Sequence, residues 1–304
     1  MTSSSFNSSA FAPISHVTLV GLGLIGGSFA MLLRERLPHV RVCGIDAHEA
    51  TLQKALQREV VHQAFRTLPT TFEGAHHLVV LASHLQVNAH YLTQLGDGRL
   101  ANQPHVTVTD MGSCKRAIAS LGEALLPEQF IAGHPMAGRE TSGLETASSL
   151  LFVGKRFLLT PSKTVAPERL EAVLGLLNQL GMRPSTLSAE EHDHTMAFIS
   201  HFPQLYAILL TNLLAKHQPG KLLAFHGGGI DDQLRLAASP YAMWKDIYAE
   251  NADNLRPILD EFIASIEALK HDLDQPELEQ WFTTSNQINK AFHQLKQPKV
   301  QTLL

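Results

Sequence analysis

The stretch Val17-Thr-Leu-Val-Gly-Leu-Gly-Leu-Ile-Gly-Gly-Ser-Phe-Ala30 leaves this chain few folds to choose from. An apolar run reads as a strand, passes into glycines at G-x-G-x-x-G spacing (Gly21, Gly23, Gly26), and continues into a helix carrying Phe29, Leu32 and Leu33. Gly21 permits a tight turn, Gly23 leaves room for a pyrophosphate to reach the backbone, and Gly26 lets the helix pack closely on the strand. The helix N-terminus adds free N–H groups and the positive end of a dipole. The next apolar run, Val40 to Ile45, ends at Asp46, where an acid accepts from ribose hydroxyls and repels a 2′-phosphate. We therefore read a dinucleotide site for NAD rather than NADP, held by Gly21, Leu22, Gly23, Leu24, Ile25, Gly26 and Asp46. The plainer alternative, a simple turn with Asp46 capping the next helix, does not account for strand, turn, helix, strand and acid falling in this order.

The chain has 304 residues, long enough for two domains. A hydrophobic fraction of 44% with 17% charged residues is a globular balance. The net charge of −4 provides no basic footprint for nucleic acid or an anionic membrane, so an anionic ligand has to be held by local residues. Two cysteines, Cys43 and Cys114, suggest neither a disulfide framework nor a metal knuckle and fit a reducing cytoplasm. No apolar run reads as long enough to span a bilayer. The Ser-rich residues 1–15 read as a disordered tail without signal-peptide character.

From His16 to Leu187 short apolar runs alternate with helical patterns. His77–Ala82, Val106–Thr109, Phe130–Ala132 and Phe157–Thr160 read as strands, and Ala117–Leu126 and Glu168–Leu180 as helices. This alternation predicts an α/β, Rossmann-like doubly wound and mainly parallel sheet over residues 16–187, with ligands at the carboxyl ends of its strands. Ala82 and Ser83 then fall beside the glycine loop and join the cofactor set. After a capping-box start at Ser188-Ala-Glu-Glu191, residues 188–304 read as all-helical. Leu255, Ile258, Leu259, Phe262, Ile263, Ile266, Leu269 and Leu273 form one apolar helix face. Such faces suit either a homodimer or burial against the first domain.

Four clusters carry chemistry. Asp110-Met-Gly-Ser-Cys-Lys-Arg116 puts Ser113 on a turn at the sheet's carboxyl edge, to touch cofactor and substrate or simply to cap the following helix. Gly133-His-Pro-Met-Ala-Gly-Arg139 follows, where Pro135 biases His134 to an extended conformation. Held there, a mostly neutral imidazole is placed to take a hydroxyl proton as hydride leaves the same carbon. In His192-Asp-His-Thr-Met-Ala-Phe-Ile-Ser-His-Phe-Pro-Gln204, Pro203 strains the helix, either aiming Ser200, His201 and Gln204 across an interdomain cleft or merely breaking it. The spacing of His192, His194 and His201 suits no metal. Finally, the glycine bend at Gly227 is followed by Asp231, Asp232 and Arg235, with Trp244 further on. Arg235 suits a carboxylate clamp with Trp244 as a wall, or else a surface pair with either aspartate.

These clusters, in order, resemble the prephenate/arogenate (cyclohexadienyl) dehydrogenase family of tyrosine biosynthesis. The matching stretches are Gly-Leu-Gly-Leu-Ile-Gly-Gly-Ser from Gly21, Asp-x-Gly-Ser-x-Lys from Asp110, His-Pro-Met-Ala-Gly from His134, Ser-His-x-Pro from Ser200, and the Gly228 to Trp244 series. The resemblance implies an NAD-binding Rossmann domain, a helical dimerisation domain and an active site between them. It also implies catalytic roles for His134, Ser113 and His201. Arg235, Asp232, Ser200, Gln204, Arg139 and Trp244 become the substrate residues, with prephenate oxidatively decarboxylated to 4-hydroxyphenylpyruvate in a cytoplasmic enzyme. Gln204 stands where the family often has a second histidine, Arg139 where it often has Ser or Thr, and Asp231-Asp-Gln-Leu where Arg-Asp-Phe-Thr is usual. These departures leave prephenate against arogenate open.

Two other readings compete. A β-hydroxyacid or 6-phosphogluconate-type dehydrogenase usually has a catalytic lysine early in the helical domain, where this chain has Ser200 and His201. A non-catalytic NAD sensor needs the glycine loop but not His134, Ser113 and Arg235. Asp46 predicts faster turnover with NAD than with NADP, checked by initial rates at 340 nm with each cofactor.

Overall fold

The computed structural model describes residues 12–139 and 141–296. Of the expected tail, residues 1–11 lie outside these, whereas Ile14 is buried and the Ala12 carbonyl accepts from His76 Nδ1 at 2.9 Å. The first elements are β1 (His16–Val20), α1 (Leu24–Arg36), β2 (Arg41–Ile45), α2 (Glu49–Gln57), β3 (Gln63–Phe65), β4 (His77–Leu81) and α3 (Leu85–Gly96). Then come β5 (Val106–Asp110), α4 (Arg116–Leu125), β6 (Phe130–Pro135), β7 (Arg156–Pro161), α5 (Pro167–Gln179) and β8 (Arg183–Thr186). Helices follow: α6 (Ala189–Met196), α7 (Phe202–Ala215), α8 (Pro219–Leu223), α9 (Gly228–Ala237), α10 (Tyr241–Glu250), α11 (Ala252–Asp272) and α12 (Leu278–Lys296). Two compact units divide this chain, the first running to Leu255 and the second starting at Arg256.

The eight strands form one sheet in the order β3-β2-β1-β4-β5-β6-β7-β8, parallel except for the β6–β7 pair. The expected doubly wound fold is observed. Short β3 and β8 carry too little apolar patterning to be read from sequence, since neither is fully buried. Both faces of the sheet are covered. Val17, Leu19, Val42, Leu78 and Val80 pack with Phe29 and Leu33 on one side; Val79, Leu81, Val106 and Val108 pack with Leu92, Leu95 and Ile118 on the other. That is why the inner strands read as continuous apolar runs rather than alternating ones.

Strand order reverses between β1 and β4, and the chain leaves their carboxyl ends toward α1 on one face and α3 on the other, which leaves a crevice between the two connections. The glycine loop is tailored to this point. Gly21 has φ +95°, and a Cβ on it would stand 2.8 Å from the Ala82 carbonyl oxygen. A Cβ on Gly26 would come within 1.9 Å of the Gly21 carbonyl oxygen, so α1 can lie this close to its own strand only with glycine there.

Ser188 and Glu191 form the expected capping box at the start of α6. Pro203 neither breaks nor sharply stops the helix. Residues Ala197–His201 form a π turn, with the Phe202 N–H donating to the Ala197 carbonyl, and Pro203 sits in the first turn of α7. The widened turn accommodates a ring that has no N–H to give to Ile199. One helix of 27 residues, Ala189–Ala215, results, with a mean hydropathy of 1.3 over its most apolar window. This corrects the expectation that no run has the length and composition of a membrane span. Two of its polar residues, His201 and Gln204, are buried and bonded to Asn251 and to the Leu236 carbonyl.

His77 on β4 is buried between Thr18 Oγ1 at 2.8 Å and the Glu73 carbonyl at 2.8 Å. Burial pushes its imidazole down to about 4. The unfolded chain therefore binds a proton below about pH 6.5 that the folded chain refuses. Stability should be complete above that pH and fall toward pH 4 at ~1.4 kcal/mol per pH unit from this residue. Urea midpoints across that range should show the fall, and His77→Asn should make it shallower.

Candidate active site

A cleft of about 570 Å³ opens at the carboxyl ends of β1, β2, β4, β5 and β6. Gly21, Gly23, Leu24 and Ile25 line one end, Asp46, Ala82 and Ser83 its flank, and Ser113, His134 and Arg139 its other end. Met243, Asp246 and Ile247 of α10 close one wall. Leu22 and Gly26 do not line it. Leu22 is buried and orients the acid instead, its N–H donating to Asp46 Oδ2 at 3.0 Å while His48 N–H donates to Oδ1 at 2.9 Å.

A dinucleotide fits this end of the cleft. Gly23 begins α1 without a side-chain cap, leaving the first N–H groups of the helix to a phosphate. The Asp46 carboxylate is fixed by two backbone donors and retains lone pairs for ribose hydroxyls.

The Asp110-x-Gly-Ser-x-Lys115 stretch is explained by a buried ion pair. Asp110 and Lys115 are fully buried, with Nζ 2.5 Å from Oδ2 and 2.6 Å from the Gly133 carbonyl. Asp110 also accepts from Gly112 N–H at 2.7 Å and Gly133 N–H at 2.9 Å. The pair therefore ties the Ser113 turn to the strand that carries His134. Ser113 does not cap α4, which starts at Arg116. Asp193 of α6 does so across space, accepting from the Lys115 and Arg116 N–H groups at 2.7 and 2.9 Å.

His134 lies inside β6 rather than in the loop after it, opposite Leu158 of the antiparallel neighbour. Its Nδ1 meets His192 Nε2 at 2.9 Å, and His192 Nδ1 meets Asp193 Oδ1 at 2.8 Å. Burial, reinforced by His192 and the Lys115 charge, holds His134 well below the usual imidazole range; burial also lowers His192. Burial works against ionisation of Asp193, but the hydrogen bonds from His192, Arg116 and Lys115 outweigh it and keep the carboxyl low. His192 and Asp193 were missed as site residues. Their only sequence signal was a buried-capable His-Asp pair one helical turn beyond a cap.

The remaining expected residues stand apart from the cleft lining. His201 is buried, its Nδ1 accepting from Asn251 Nδ2 at 3.0 Å and its ring edge-on to Trp244; burial pushes it down to about 4. Trp244 stacks on Tyr248 and packs beside Leu85, Cys114 and Ile247, one layer behind the wall. Gln204 is tied to the Leu236 carbonyl at 2.8 Å. Ser200 lies in the π turn. Arg235 and Asp232 are exposed, 3.9 Å apart, on α9. The alternative of a surface pair is what the chain adopts there, because α9 presents both side chains to solvent.

A glycine loop at a helix N-terminus, the Asp46 carboxylate and the buried imidazole of His134 share one cleft, an arrangement suited to a nicotinamide-dependent dehydrogenase. The family described as prephenate dehydrogenase, nucleotide-binding domain, matches residues 29–185, and that described as prephenate dehydrogenase, dimerization domain, matches residues 188–287. The chain is 31% identical to a prephenate dehydrogenase of Bacillus subtilis over 88% of its own length and 72% of that protein's. It is 28% identical to a cyclohexadienyl dehydrogenase of Zymomonas mobilis, covering 84% of this chain and 87% of the relative. A crystal structure of prephenate dehydrogenase from A. aeolicus in complex with hydroxyphenyl propionate and NAD+ matches with a TM-score of 0.81 at 28% identity, covering 94% of this chain and 99% of that one. The chain belongs to the prephenate dehydrogenase family and is an NAD-dependent oxidoreductase.

Removing one partner of the buried Asp110–Lys115 pair strands the other charge without water. Lys115→Ala should cost ~3–5 kcal/mol of stability, read from the urea midpoint.

Proposed function

We propose that this enzyme oxidatively decarboxylates prephenate to 4-hydroxyphenylpyruvate and CO2 with NAD, in tyrosine biosynthesis. The observation that carries the reading is His134, a neutral base on the wall of the same cleft as the glycine loop and Ser113. When bound, NAD supplies the two-electron acceptor for the hydrogen on the ring carbon that bears the hydroxyl. His134 takes the hydroxyl proton as that hydrogen leaves and returns it to the phenol oxygen after the ring carboxylate departs as CO2. Ser113, on the adjacent wall, orients the hydroxyl. Cleft walls built from Leu85, Met111, Met243 and Ile247 exclude water and strengthen polar contacts to substrate.

Prephenate carries two carboxylates. Arg139, the arginine among the cleft-lining residues, is our candidate for one. Arg235 is the candidate for the second on the strength of the family resemblance: its contact with Asp232 is long and exposed, so little holds it in place. His201, Ser200, Gln204 and Trp244 then support the substrate side of the site from behind the α10 wall. The functional division at residues 187/188, between cofactor and substrate parts, belongs to the same reading. Asp246 on the cleft wall is the carboxylate that an amino-acid substrate such as arogenate would meet, which is why both substrates are assayed.

We further propose a homodimer through the helical part. Support comes from the dimerization-domain match over residues 188–287 and from exposed apolar side chains, among them Leu209, Leu213, Ile263, Ile266 and Phe282. The reading also carries the expectation of a cytoplasmic enzyme with a small-molecule substrate and neither nucleic-acid nor membrane partners.

NAD reduction at 340 nm should proceed with prephenate; turnover of arogenate alone, or of neither, would overturn the assignment. His134→Asn should lower kcat by ~10²–10⁴-fold while NAD still binds. Arg139→Ala and Arg235→Ala should each raise KM for prephenate by ~10–100-fold, and an unchanged KM removes that arginine from the site. Sedimentation equilibrium should give twice the chain mass.

A further inference from the structure

The chain of contacts running from Asp193 through His192 to His134 fixes more than a position. An ionised carboxylate only accepts hydrogen bonds. Asp193 is held ionised by donors on both oxygens: Lys115 N–H and His192 on Oδ1, Arg116 N–H and Nε on Oδ2. The proton between Asp193 and His192 therefore sits on His192 Nδ1. His192 is fully buried and neutral, so its Nε2 is a bare acceptor. The 2.9 Å contact with His134 then needs its proton from His134 Nδ1. With Nδ1 occupied in a neutral ring, His134 Nε2 carries a lone pair and is the ring nitrogen left to the cleft that His134 lines.

We propose that His192 and Asp193 are positioning residues that lock His134 in its Nδ1–H tautomer, so that Nε2 always faces the substrate hydroxyl as a base. The base role rests on the dehydrogenase reading above; the tautomer does not. Without the relay a neutral imidazole distributes its proton between the two nitrogens, and the form bearing Nε2–H cannot accept. As the hydroxyl O–H bond breaks and the proton bonds to Nε2, the new imidazolium keeps its Nδ1–H on His192, whose own Nδ1–H stays on the Asp193 carboxylate. The relay is itself anchored. Asp193 supplies the cap of α4, and Asn251 Nδ2 donates to the Asp193 carbonyl at 2.7 Å, so neither imidazole is free to swing.

The test uses the full chain. In the wild-type protein with NAD bound, two-dimensional long-range ¹H–¹⁵N spectra of the imidazoles, with His134 assigned by its loss in His134→Asn, should show a protonated Nδ1 and a bare Nε2. The opposite tautomer in wild type overturns the proposal, and this measurement needs no turnover, so it stands or falls separately from the choice of substrate. His192→Leu keeps the bulk but not the acceptor and should lower kcat by ~10²-fold or more, with KM for NAD and prephenate nearly unchanged. His192→Gln can accept from His134 through its amide oxygen and donate to Asp193 through its amide nitrogen, and should recover most of that loss. A loss under about tenfold in the leucine variant, or equal losses in both variants, would show that His192 only fills space. If the leucine variant does not fold, the wild-type tautomer and the glutamine variant's spectrum, where Nδ1–H must persist, still decide the matter.

Discussion

The buried carboxylate of Asp193 is the interaction on which the His134 end of the cleft depends. Charges out of water are costly unless every lone pair is used. Here two backbone N–H groups at the start of α4, the Arg116 guanidinium and His192 use them. Arg116 extends the network to Asn251 and to Asp253, which it holds down at about 2. The Asp193 side chain on α6 thus caps α4 and orients the imidazole pair, while its backbone carbonyl accepts from Asn251 between α10 and α11. Its capping role also explains why Ser113, one turn earlier, is left to face the cleft.

A second buried charge does the matching work from the sheet side. Asp110 ends β5, Lys115 precedes α4, and their pair reaches the Gly133 backbone beside His134. His134 is therefore held from two directions: its backbone by a strand in register with β5 and β7, its ring by α6. Such a site tolerates little movement, which suits the proposed reaction, in which a hydride leaves a carbon while a proton leaves the oxygen it bears. The cofactor end is built on a looser principle: glycines and backbone donors shape it, and Asp46 stands on its flank held by the Leu22 and His48 N–H groups.

Much of this was legible in the residues. The strand, glycine loop, helix and Asp46 are close in sequence, and each has a local physical requirement, so NAD as cofactor and the doubly wound class followed directly. His134 and Ser113 were also legible as cleft-lining residues, because strand ends border the ligand crevice in such sheets. The π turn was not legible, since Pro203 admits a break, a kink or a widened turn equally well, and only the Phe202 to Ala197 hydrogen bond distinguishes them.

By itself, then, the sequence determined the features that act over a few residues: the turn at Gly21, the close packing at Gly26, the acid at Asp46, the cap at Ser188 and the family motifs. Tertiary structure decided the pairings between distant residues. That His192 rather than His201 faces His134, that Asp193 caps α4, and that Arg139 rather than Arg235 stands on the cleft wall depend on which helix face is buried where. A local pattern offers several buried histidines and exposed arginines of equal standing. Only packing assigns each a partner, because a hydrogen bond forms or fails within a few tenths of an ångström that no residue spacing records.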